Sequence, residues 1–80
     1  MYSIFIYNYD ENYTFFSEMM NVKPIFVLEF EKPKDENDFD INLMPKLDYE
    51  GYLYRLMKDD EMYSEGIFTA DSLYEDLFEY

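Results

Sequence analysis

The sequence predicts an α+β domain: a small, mostly antiparallel sheet with a short N-terminal helix and a C-terminal amphipathic helix, one layer on one layer. Three observations carry this. Segments 2–7 and 25–31 are rich in β-branched and aromatic residues, the chemistry of strands, and 51–57 and 62–68 flank a hairpin turn. The last ten residues have helical rather than strand periodicity. Ten Tyr, eight Phe and six Met supply large apolar contact areas, so the 80-residue chain has the material for one core despite its charge. Disordered acidic segments are poor in aromatics. A single folded domain, 1–80, is expected.

Each element follows from its residues. "YSIFIY" (2–7) is apolar on both faces and predicts a central strand buried on both sides. In "DENYTFFSEMM" (10–20), Asp10 is an N-cap candidate and Tyr13, Phe16 and Met20 share a helical stripe. An irregular connection is the alternative there, because Thr14, Phe15 and Phe16 are mediocre helix formers. Pro24 stops helix propagation, and "IFVLEFE" (25–31) alternates, with Phe26, Leu28 and Phe30 toward the core and Ile25, Val27, Glu29 and Glu31 opposite. Two prolines and mixed charge make 32–46 a long loop. "GYLYRLM" and "MYSEGIF" flank "KDDE", a hairpin; a helix over 48–58 is the alternative, opposed by Gly51. In the last segment Leu73, Tyr74, Leu77 and Phe78 cluster on one side, and Asp71, Glu75, Asp76 and Glu79 take the other. Thr69, Asp71 and Ser72 offer caps, and Ser72 with Glu75 matches a capping box.

Charge narrows the function. Nineteen acids against six bases give a net charge of −13, spread over both halves. Residues 59–80 hold eight carboxylates and no Lys or Arg. Such a field aids solubility, opposes compaction, and disfavours nucleic acid or an anionic membrane as a direct partner. A basic protein surface, or a cation, is the expected partner. No stretch is long enough to span a membrane. "MYSIFIYNY" lacks the basic start and cleavage site of a signal peptide, so a cytoplasmic location is expected.

With no Cys and no His, disulfides, thiolate metal sites, and the commonest general base and transition-metal ligand are excluded. Gly51 and Gly66 are isolated, so no phosphate-cradling loop exists. No enzyme activity and no cofactor are expected. "DENDFDINLMPK" (35–46) has the acid density of a calcium loop, but Asp40 stands where an EF-hand needs Gly and Lys46 where it needs Glu. No metal site is assigned.

The acidic end is the candidate partner-binding surface: Asp59, Asp60, Glu61, Glu65, Asp71, Glu75, Asp76, Glu79 and Tyr80. The pairs Asp71–Glu75 and Glu75–Glu79 are like charges at i, i+4, each costing about 0.2–0.5 kcal/mol. Glu79 also sits where a helix prefers a cation. A face that served solubility alone would mix Lys among its Glu. Tyr is interleaved with acid in "YNYDENY", "LDYEGYLY", "EMYSE" and "LYEDLFEY". Carboxylates pair with Arg, and Tyr gives guanidinium a ring to stack on. The plainer reading is that these Tyr are core residues whose hydroxyls reach solvent. Exposed Tyr, Phe and Met would also suit a homodimer seam.

A small, strongly acidic, His- and Cys-free chain carrying "DDEMYSEGIFTADSLYEDLFEY" and "KDENDFD" resembles the phage-encoded DNA mimics, the anti-CRISPR and anti-restriction proteins. The 39 Phe, Tyr, Met, Ile, Asn and Lys residues, against seven Gly, Ala, Arg and Pro, point to an AT-rich genome and agree with that resemblance. It covers composition across the whole chain and carries no aligned motif. It implies a stoichiometric inhibitor that blocks the nucleic-acid-binding cleft of a CRISPR effector or other defence nuclease in the host cytoplasm. The alternative is an acidic interaction subunit, or antitoxin-like partner, that binds a basic protein without imitating nucleic acid.

Overall fold

The computed structural model describes residues 1–8 and 23–79. Among them, four strands form one antiparallel sheet: β1 (Tyr2–Tyr7), β2 (Phe26–Phe30), β3 (Leu53–Lys58) and β4 (Glu61–Ile67), in the order β2-β1-β3-β4. Register puts the large side chains in rows across the strands. Phe26, Ile6 and Tyr54 make one row, Leu28, Ile4 and Leu56 the next, and Phe30 and Tyr2 a third. These rows form the inner face, and two helical segments close over it. They contribute Phe39, Leu43, Leu73 and Leu77, with Leu47 and Phe68 from the flanking chain.

The second face of the sheet differs. Ile4 and Ile6 are fully buried on the inner side, whereas Ser3 and Phe5, pointing the other way, are half-buried. The expectation that β1 is buried on both sides therefore holds fully for one side only, because the described helices all lie on the inner face. Tyr7 and Leu53 form a small buried cluster on the outer face, with Phe5 against it.

The hairpin forms as expected, and its chemistry explains "KDDE". Asp59 and Asp60 have φ of 51° and 68°, the doubly positive pair of a two-residue turn matched to strand twist. A register shift between Leu56 and Met57 leaves Tyr63 as the extra residue of a bulge. Tyr63 turns toward the inner side, where its ring meets Tyr2 edge-on at 5.9 Å.

The segment 32–46 is not the long loop its prolines suggest. After the buried Pro33, Asp35 caps a helical run: its side chain accepts the Asp38 N–H at 2.8 Å. One α-turn, α1 (Glu36–Asp38), widens into a π-turn (Phe39–Leu43) and tightens into a 3₁₀ turn (Met44–Lys46). Pro45 falls in the first turn of that last piece, where a missing N–H costs nothing. Asp38 accepts from the Asn42 amide and from the Lys34 N–H, which hold its carboxyl below the usual range in that order of effect.

The C-terminal helix forms as α2 (Ala70–Tyr74), continued by a π-turn (Glu75–Glu79). Its cap is Thr69, which accepts the Ser72 N–H at 3.0 Å. The expected Ser72–Glu75 capping box gives way to this arrangement, because Thr69 leaves the buried Phe68 in extended conformation and starts the helix earlier. Ser72 lies inside the first turn and accepts a bond from the Thr69 hydroxyl. The helix expected over 10–20 lies outside the described residues.

Candidate functional site

The two helical segments meet around Phe39, which is 2% exposed. Its ring lies edge-on to Tyr74 at 5.5 Å and to Phe78 at 6.0 Å. Above this aromatic contact runs a groove of about 360 Å³, lined by Glu36, Phe39, Asp40, Ala70, Asp71, Tyr74, Glu75 and Glu79. Helical spacing builds its rims. Glu36 and Asp40 are four residues apart on one side, and Asp71, Glu75 and Glu79 step by four on the other.

Five carboxylates thus border one groove, and among the described residues none is ion-paired to a base. Tyr74 registers the resulting field. Its hydroxyl is pushed above its ordinary pKa by partial burial and by the charges of Glu36, Glu79 and Asp40. The three carboxylate charges that oppose a tyrosinate there would favour a cation; the burial, which is the larger cause, would not. Both rims include a π-turn, a rare helical form found often at functional sites. Among the described residues no three acidic side chains converge as a metal-holding group; the acids are strung along the rims.

Three of the six bases are turned to other uses. Lys58 lies over the rings of Tyr2 and Tyr63 at 5.6 and 5.8 Å, and Lys32 over Phe78 at 5.5 Å. Arg55 Nε is 3.6 Å from Glu65 on the outer face of the sheet.

The nine residues singled out in the sequence therefore separate. Asp71, Glu75 and Glu79 share the groove. Asp76 turns inward instead of joining the acidic face: the Tyr54 hydroxyl donates to its Oδ2 at 2.6 Å and lies 3.3 Å from Ser64 Oγ. Burial, the Asp76 bond and the Asp76 and Glu75 charges push Tyr54 up to about 12, with the Ser64 contact opposing. Asp59, Asp60 and Glu61 sit at the β3–β4 tip, where Asp59 lies 3.0 Å from the Met1 ammonium, which lowers its pKa. Glu65 is held at Arg55, and Tyr80 lies outside the described residues.

Sequence reasoning missed Glu36 and Asp40, half of the groove, because it placed them in a loop. The signal was present: Asp35 as a cap, then Phe39, Leu43 and Leu47 at intervals of four, with Glu36 and Asp40 on a shared side. The tyrosines divide in the same way. Tyr7 and Tyr54 are buried, and Tyr49 packs with Phe26 and Tyr52, so among the described residues most of the acid-interleaved Tyr serve packing. Among the described residues Tyr74 is the tyrosine that lines the acidic groove.

Among the described residues no helix is long and apolar enough to cross a membrane. No protein-family model matches the chain, nor does any curated protein or solved structure.

Proposed function

We propose that this protein is a stoichiometric inhibitor that blocks the nucleic-acid-binding cleft of a host defence nuclease or effector complex, in the manner of an anti-CRISPR protein. The observation that carries the proposal is the groove: five carboxylates from two helical segments, with no base paired to them among the described residues and Tyr74 between them. A cleft that binds duplex DNA presents Lys and Arg to phosphates that succeed one another at about 3.4 Å of axial rise on each strand. Acids four residues apart on an α-helix, as Asp71 and Glu75 are, advance about 6 Å, close to the rise of two phosphates. Opposing rims on a folded frame offer two such rows, without the ordering cost of a flexible polyanion. Arg side chains of the cleft would pair with the rims and stack on the Tyr74 ring.

The proposed activity needs no catalytic step, cofactor or metal. The test is capture of partners from a nuclease-treated lysate of a low-GC bacterium on the immobilised protein. Elution is then attempted with DNA, RNA or salt. One nucleic-acid-binding effector, released by added nucleic acid and by salt, is the expected result. A partner that stays bound while it also holds nucleic acid would overturn mimicry in favour of a plain acidic docking subunit. With an RNA-guided nuclease recovered, inhibition of target cleavage at a 1:1 ratio completes the test.

A further inference from the structure

We draw no further inference here: the strongest candidate, the outer face of the sheet where Ile25, Val27, Met62 and Ile67 stay about half exposed around the buried Tyr7 and Leu53, carries nothing because no described residue shows what covers it.

Discussion

Two acidic regions of this molecule look alike in sequence and differ in structure. At the hairpin tip, Asp59 is tied to the Met1 ammonium, and its N–H donates to the Met1 carbonyl at 3.1 Å. Lys58 is the next residue along. In the groove, Glu36, Asp40, Asp71, Glu75 and Glu79 line one surface, and among the described residues none of them is ion-paired to a base. The tip has a pairing supplied by the fold, and the groove acids have none among the described residues. Charge that costs folding energy without an internal partner is better explained by an external one. Local composition cannot separate the two cases, since "KDDE" and "YEDLFE" are equally acidic; the positions of the bases decide it.

The largest effect should come from removing the wall on which the groove stands. Phe39→Ala deletes a fully buried ring that touches both Tyr74 and Phe78, at a cost of about 3–5 kcal/mol. A domain of this size is expected to have about 4–12 kcal/mol in total. Urea unfolding should therefore show a sharply lowered midpoint. A change below about 1 kcal/mol would mean that the two helical segments are not joined through this contact.

Charge reversal then sets groove against tip. Glu75→Lys with Glu79→Lys turns the Asp71–Glu75 repulsion into an attraction, leaves one like-charge pair between positions 75 and 79, and should leave the fold intact. It should weaken capture of a basic partner at least tenfold, about 1.4 kcal/mol. Asp60→Lys with Glu61→Lys changes net charge equally and should weaken capture much less. Equal losses at matched ionic strength would show that only total charge matters, and the groove would lose its special role.

Asp76 separates a structural acid from the acids of the groove. Asp76→Ala leaves the buried Tyr54 hydroxyl with the Ser64 contact alone, at a cost of about 1–2 kcal/mol. Asp76→Asn keeps an acceptor and should recover most of that loss. Neither should change partner capture. Because Tyr54 is pushed up from 10 to about 12, the fold holds its proton more tightly than the unfolded chain does. That contribution is complete below pH 10 and fades as pH rises through about 12. Denaturation followed from pH 9 to 12 should lose stability faster in the wild type than in Tyr54→Phe.

How much of this was legible in the sequence depended on how local the deciding physics was. The alternation of Phe26, Leu28 and Phe30 and the stripe of Leu73, Tyr74, Leu77 and Phe78 state which side is buried, and both formed as read. Pro33 and Pro45 argued against a helix at 32–46, because proline penalties are counted before its position within a turn is known. Each falls where it is harmless, one ahead of the cap and one in the first turn of a 3₁₀ piece. Asp76 was unreadable for another reason: its partner, Tyr54, lies 22 residues away, and a helix wheel knows nothing of the sheet beneath. The same blindness hid the pairing of two acidic rims, which exists only once α2 packs beside the segment that begins at Glu36.

The smallest effect concerns the tip itself. Both Asp59 and Asp60 adopt positive φ, which costs an L-residue with a Cβ about 1–2 kcal/mol, and less for Asp, whose side chain tolerates this region. Two-residue turns of this kind prefer glycine at the second position. Asp60→Gly should therefore raise stability by about 0.5–1 kcal/mol, read as a higher urea midpoint with an unchanged slope. Asp59 stays in place, so its contact with the Met1 ammonium is preserved. The same variant removes one carboxylate from the tip. If it is more stable and captures its partner as well as the wild type, the tip acid serves neither the fold nor binding, and the contrast with the groove is sharpened. If capture falls several-fold while stability rises, Asp60 is held in a strained conformation for contact with a partner, and the binding surface must be extended to the hairpin.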